Sequence, residues 1–367
     1  MAQKMKKPTP EKFLQSFKSQ EEARNFLWQV YRTGRIASTY LFAGPAGVGK
    51  FLAGLEFAKF LKCKNKIDDA PCDRCKTCRT MQIWDNPDLF IIFPMPLSVW
   101  ESDEQAKAFE EFRKSPYLRP SFNKPAGILL PMIHEIQRFL STSATEDGGK
   151  FVFVPDVHML NQQAANAFLK ILEEPPPDTH IILSTDRAEA LLPTIRSRAQ
   201  QVRFRRLPTD EVRRQLEEQY LFPPENASLI AALSEGSIAI ALKVASNEFQ
   251  ETRMQAIELI RCGAEKKLPE LWDWASSAPG ELDYAQSLIA STISLARDIV
   301  VGKSDGKILN MDAKDTVYMA AQAIESPFKA LEMMRELTNL QSDLARNPQY
   351  SLFYAALAAI IYRGFLN

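Results

Sequence analysis

The sequence has little histidine. Its three histidines, His134, His158 and His180, are well separated along the chain, so neither a histidine metal motif nor a Ser/His/Asp set can be read from it. It has no excess of charge: 45 basic and 45 acidic side chains balance, and no net basic field argues for nucleic acid, although a local patch is not excluded. It has no run of about 18 apolar residues, so no membrane-spanning helix is expected. The start, "MAQKMKKPTPEK", is basic but lacks a following apolar stretch, which argues against a secretory signal and makes the cytoplasm the expected compartment. Cysteine is scarce too, at five, and in a reducing compartment these are thiols or metal ligands rather than disulfides. What remains is an ordinary globular composition, 46% hydrophobic and 25% charged over 367 residues, long enough for two or three domains.

The first two hundred residues alternate apolar runs with amphipathic stretches, which predicts an α/β domain with a mostly parallel sheet. "STYLFAG", "DLFIIF" (Asp88 to Phe93), "KFVFVP" (Lys150 to Pro155) and "HIILS" (His180 to Ser184) suit strands buried on both faces. A capping box of Ser19 and Glu22 is expected to open the first helix, and Gly34 to end it. From Pro208 the strand signal disappears and helices continue to the end. The expected organisation is an α/β domain over 1–207, a small helical domain over 208–262 and an all-helical C-terminal domain over 263–367. A proline- and aromatic-rich insertion at 94–127, with one amphipathic stretch in its middle, interrupts the first domain. A connection that long within a compact domain is usually functional, and the sequence assigns it no role.

"LFAGPAGVGKF", Leu41 to Phe51, carries the first chemical motif. Gly44, Gly47 and Gly49 free the backbone to cradle phosphates at a helix N-terminus, and Lys50 would reach the β- and γ-phosphates. The next position should be a Ser or Thr that ligates Mg²⁺, and it is Phe51. The residues fit a bare strand-to-helix turn as well as a nucleotide site. They fit hydrolysis less well, because the strand expected to end in a metal-binding acid ends in Pro155-Asp156. Asp156 is also positioned to cap the segment after it.

Cys63, Cys72, Cys75 and Cys78 combine two overlapping C-x-x-C turns with one upstream thiol. Four thiolates with no open position are expected to hold a structural Zn²⁺. Cys262 stands alone and is expected in a core. The basic residues around the four thiols (Lys62, Lys64, Lys66, Arg74, Lys76, Arg79) are expected on a solvated face rather than on phosphates, and the same holds for Arg203, Arg205 and Arg206. Arg198, in "LLPTIRSRAQQVRF", fits either a surface ion pair or an arginine finger offered to a neighbouring subunit's ATP.

Together these motifs resemble the AAA+ subunits of the bacterial DNA polymerase III clamp loader. The resemblance runs through "RIASTYLFAGPAGVGK", the four cysteines, "NPDLFII", "VHMLNQQAANAFLKILEEPPPDTHIILSTD" and "LLPTIRSR", covering most of residues 20–207. It is weaker in the helical part, where "LSEGSIAIAL" and "NPQYSLFYAAL" are the recognisable pieces. It implies an AAA+ P-loop domain with an embedded zinc knuckle (63–78), then a lid domain and a collar domain through which subunits assemble. It is nearer to delta-prime than to the hydrolysing gamma/tau subunits. Active members carry Ser or Thr, Asp-Glu and a sensor-2 arginine where this chain has Phe51, Pro155-Asp156 and Ala239. The residues in hand also lack the long extension that sets tau apart.

The resemblance places Ser197-Arg198-Ala199 on the family's Ser-Arg-Cys finger and Thr185 on its sensor-1 position. It implies a cytoplasmic, non-hydrolysing subunit that completes a neighbour's ATP site with Arg198 and helps load the sliding clamp onto primed DNA. ATP or ADP would at most be bound, not hydrolysed, at Gly44, Gly47, Gly49 and Lys50. Implied partners are gamma/tau-type ATPase subunits, the delta subunit, the clamp and primed DNA, with no membrane. The alternatives are a divergent active gamma/tau-type ATPase and a zinc-knuckle nucleic-acid-binding module.

Overall fold

The structure, a computed structural model, describes residues 11–304, 306, 308–344 and 349–366. Residues 1–10 of the basic N-terminal stretch, and Asn347 and Pro348 of the last motif, lie outside the described residues. The chain divides into two compact units, one of residues 1–211 with 236–239, the other of 212–235 with 240–367.

The first unit is built on five parallel strands, β1 (Thr39–Ala43), β2 (Leu89–Ile91), β3 (Lys150–Val154), β4 (Thr179–Thr185) and β5 (Gln200–Arg203). Their order is β2-β3-β4-β1-β5. Every residue of β3 is buried, which explains why its sequence is a continuous run of large residues instead of an alternation. Helices α1 (Glu21–Thr33), α2 (Lys50–Lys62), α3 (Lys76–Gln82), α4 (Leu97–Trp100), α5 (Glu104–Lys114), α6 (Leu130–Leu140), α7 (Gln162–Glu173) and α8 (Pro193–Ser197) accompany the sheet. Asn161 caps α7 by accepting from the Ala164 amide at 2.8 Å, and the helix ends before the three prolines as its sequence requires.

The expected start of α1 is different. Gln20 is the N-cap, and no side chain caps the helix. The Gln20 amide instead clasps the backbone of Arg205, accepting from its N–H at 2.9 Å and donating to its carbonyl at 2.7 Å. A long-range bond has displaced the local one, while Gly34 ends the helix in the left-handed conformation, as expected.

The insertion is ordered. Its base is closed by paired backbone bonds between Met95 and Gly127, at 3.1 and 3.3 Å, and its amphipathic stretch is α5, which buries Ala108 and Phe112.

The second unit is helical: α9 (Thr209–Tyr220) leads into it, followed by α10 (Pro224–Leu233), α11 (Ile238–Val244), α12 (Asn247–Ala264), α13 (Leu268–Ser277), α14 (Leu282–Gly302), α15 (Lys314–Ala323), α16 (Pro327–Asp343) and α17 (Tyr350–Gly364). Leu259, Leu288, Ile299, Leu337, Leu357 and Ile361 are at the centre of its core. Cys262 is buried there, as expected, and burial pushes its thiol up to about 11. No helix among the described residues is long and apolar enough to cross a membrane.

Candidate functional site

The glycine-rich turn joins the end of β1 to the start of α2. Gly47 and Gly49 have φ of +70° and +86°, values that favour glycine. A Cβ at Gly47 would collide with Ser237 Oγ and Ala239 Cβ, so the turn is closely covered by the segment holding the position read as sensor 2. The Ile238 amide donates to the Gly47 carbonyl at 2.9 Å.

Lys50 is only 8% exposed. Its Nζ donates to the carbonyls of Gly44 at 2.6 Å and Pro45 at 2.5 Å, so its donors fold back onto the loop. Burial lowers its pKa to about 8, against the opposing pull of Asp186 and Asp156. Phe51 packs into a cluster of rings, with centroids 4.9 Å from Phe112, 5.0 Å from Trp84 and 5.6 Å from Phe153.

At the end of β3, Asp156 sits in the left-handed region with φ of +53° and does not cap the 3-10 turn Val157–Met159. Its Oδ2 accepts from Arg119 Nε at 2.6 Å. Arg119 comes from the insertion, and its guanidinium lies 4.5 Å from the Phe112 ring centroid. Thr185 ends β4: its Oγ1 accepts from the Arg187 amide at 3.0 Å and lies 3.0 Å from His158 Nδ1. Burial lowers the pKa of His158, with Asp186 and Asp156 opposing.

A cavity of about 110 Å³ remains among these groups, lined by Gly47, Gly49, Lys50, Tyr117, Arg119 and Asp156 among others. Pockets for drug-sized ligands and cofactors span about 300–1,000 Å³.

The four cysteines come together at the opposite end of α2, where Cys63 is the C-cap. All four Sγ atoms lie within 4.8 Å of one another, and Cys72 Sγ is 4.0 Å from Cys78 Sγ. Tetrahedral Zn–S bonds of about 2.3 Å require sulfur separations of nearly this size. The Cys72 amide donates to Cys63 Sγ and the Cys78 amide to Cys75 Sγ, both at 3.4 Å, an arrangement suited to anionic sulfur. Amides of Arg74 and Cys75 lower the Cys72 thiol to about 6. The donor set therefore fits a closed metal site.

One of the basic neighbours departs from expectation. Lys62 is not on a solvated face but 2% exposed, bonded to Asp88 and to the Gly149 carbonyl. Lys64 is exposed and pairs with Asp147 at the surface.

Arg198 ends α8 and is exposed. Its Nη2 pairs with Glu173 Oε1 at 2.7 Å, and its Nη1 donates to the Thr194 carbonyl at 3.0 Å. It is not among the residues lining the phosphate-loop cavity. The structure thus gathers Gly47, Gly49, Lys50, Asp156 and Ala239 at one cavity, with Gly44 behind Lys50. It sets the cysteines and Arg198 apart from that cavity. Tyr117 and Arg119 were missed by sequence reasoning because the insertion carries no motif; the only signal was the insertion's unexplained length.

Fold and site together define a P-loop-type α/β domain, with a five-stranded parallel sheet and a glycine-rich turn that leads into Lys50. The profile of the family described as "DNA polymerase III, delta subunit" matches residues 19–208, more than half of the chain, and the chain belongs to that family. It is 29% identical over 241 residues to DNA polymerase III subunit delta' of Bacillus subtilis, which covers 65% of this chain and 64% of that one. Its identity to DNA polymerase III subunit delta' of Pseudomonas aeruginosa is 30% over 241 residues, 64% of each chain. With DNA polymerase III subunit tau of Escherichia coli the identity is 30% over 230 residues, 61% of this chain and 31% of that one. The chain spans just under two thirds of the length of the delta' relatives it matches.

Proposed function

We propose that this chain is a non-hydrolysing, delta-prime-type subunit of the DNA polymerase III clamp loader, an AAA+ assembly that places the sliding clamp on primed DNA. The observation that carries the reading is Phe51. The position that would hold Mg²⁺ is a buried ring packed against three others, and phosphoryl transfer without the metal loses its main charge stabilisation. Delta' relatives support the subunit type. The tau relative keeps the hydrolysing alternative in view, and Phe51 with Pro155 argues against it.

Arg198 is the arginine finger in this reading. It is exposed, lies outside the chain's own phosphate-loop cavity and is held by one surface carboxylate and one carbonyl, so it is available to a gamma/tau-type neighbour. The delta subunit, the clamp and primed DNA complete the assembly, in the cytoplasm. Cys63, Cys72, Cys75 and Cys78 hold one structural Zn²⁺. The helical regions 208–262 and 263–367 serve as lid and collar.

The test is steady-state ATP turnover by a mixture of this chain, gamma-type and delta subunits, clamp and primed DNA, with the chain alone as control. The expected result is a silent chain, with Arg198→Ala lowering turnover of the mixture well below wild type. Turnover by the chain alone would establish the divergent-ATPase alternative. A silent chain whose Arg198→Ala variant leaves the mixture unchanged would remove the finger role.

A further inference from the structure

Two things stand over the degenerate phosphate loop. Lys50 Nζ is turned back onto the Gly44 and Pro45 carbonyls, and side chains from another part of the chain face the loop. A Cβ at Gly49 would meet Phe17 Cε1 at 2.5 Å and, beyond it, the ring of Tyr117 at 3.5 Å. Pro116, Tyr117 and Arg119 line the cavity, and all three belong to the insertion.

Charge explains why the insertion stays there. Asp156 lies two residues beyond the buried strand β3, and its charge acts on Lys50 together with that of Asp186. Here Arg119 Nε binds its carboxylate at 2.6 Å, and guanidinium keeps its charge at every physiological pH. Arg119 Nη1 also donates to the carbonyls of Pro116 and Leu118, each at 3.4 Å, which braces the turn that carries Tyr117. Apolar contacts complete the anchorage: Phe93 is 4.9 Å from both Phe109 and Phe112, and Phe112 is 4.9 Å from Phe51. Phe51 is thus more than a lost ligand, because it is the ring on which the insertion docks.

We infer that the 94–127 insertion is the resident occupant of this chain's own phosphate site, with Tyr117 beside Phe17 against Gly49 and Arg119 neutralising Asp156. Nucleotide is excluded by this internal ligand rather than by the altered loop alone. The inference rests on the reading of the P-loop as non-hydrolysing and not on the clamp-loading role.

Binding, not activity, tests it. A fluorescent ADP analogue with Mg²⁺ is titrated into the full chain as wild type, Arg119→Ala, Arg119→Lys and Tyr117→Ala/Arg119→Ala, each first checked by thermal melting. A site closed most of the time weakens apparent affinity by its open fraction, so opening it should strengthen binding by at least about tenfold. The expected result is no saturable binding by wild type, clear binding by the double variant, an intermediate value for Arg119→Lys, and no ATP turnover by any of them. Saturable wild-type binding that the substitutions leave unchanged would overturn the inference. So would folded variants that all fail to bind, since the loop would then exclude nucleotide by itself. If the double variant does not melt cooperatively, Tyr117→Ala alone gives the same decision. None of these outcomes alters the Arg198 experiment, so the two readings fail separately.

Discussion

Lys62 and Asp88 form an ion pair, 2.9 Å apart, in which neither side chain is exposed. The pair is well satisfied: Asp88 also accepts from the amides of Thr145 at 2.7 Å and Glu146 at 2.8 Å, and Lys62 donates to the Gly149 carbonyl at 2.8 Å. It ties the last residue of α2 to the entry of β2. Removing one partner strands the other charge, which costs about 3–5 kcal/mol for a buried pair. Asp88→Asn is therefore expected to lower the urea midpoint sharply. Lys62→Met with Asp88→Leu should recover only part of the loss, because it removes the stranded charge but leaves the Thr145 and Glu146 amides without their acceptor.

The same carboxylate gives a pH dependence. Burial opposes its charge, but the Thr145 amide, Lys62 and the Glu146 amide outweigh burial and hold its pKa below the ordinary aspartate range. A carboxyl with a native value below its unfolded one contributes stability that is whole above about pH 4 and disappears as pH falls through the native value. Urea midpoints measured from about pH 6 down to about pH 3 should fall for wild type and fall less for Asp88→Asn.

Phe51→Ala should destabilise the first unit by about 3–5 kcal/mol, the usual range for emptying a buried ring site. Phe51→Thr restores the hydroxyl of an active phosphate loop but not the acid at Pro155. Denaturation should show the loss for both variants, and steady-state assays should find no ATP turnover by Phe51→Thr.

The thiol cluster predicts one equivalent of zinc by metal analysis of the purified chain. Cys72→Ser or a strong chelator should release it and lower the melting temperature by more than about 5 °C, since binding energy at such a site is folding energy. Cys262→Ser should leave the metal content unchanged.

Arg198→Ala should be nearly neutral for folding. Its pair with Glu173 joins side chains that are 33% and 48% exposed, and surface pairs contribute about 0–1 kcal/mol. A melting curve close to wild type would make any loss of turnover in the mixture a functional loss.

The strands were legible because burial on both faces writes itself into consecutive residues, as in "KFVFV". The phosphate turn and the cysteine spacing were legible because their chemistry is local. What the sequence concealed is the choice of distant polar partners. Arg119 and Asp156 are separated by 37 positions, Lys62 and Asp88 by 26, and Gln20 and Arg205 by 185. Periodicity says which side chains face inward, but not which inward charge meets which. For that reason Lys62 reads as solvated and Ser19 as a cap, while the structure buries the first and starts the helix after Gln20.

The cysteine knuckle and the phosphate loop share a single rod. Helix α2 carries Lys50 at its first residue and Cys63 just past its last, 13 residues or about 20 Å along its axis. A second route runs back beside it. Cys78 belongs to α3, Trp84 follows that helix by two residues, and the Trp84 ring meets Phe51. Trp84 itself has φ of +59°, an uncommon conformation for a bulky residue and a stiff joint. The two routes close a circuit from thiol to ring to thiol. A disturbance of the four-thiol packing would therefore reach Phe51 along both arms, through α2 and through the Trp84 ring.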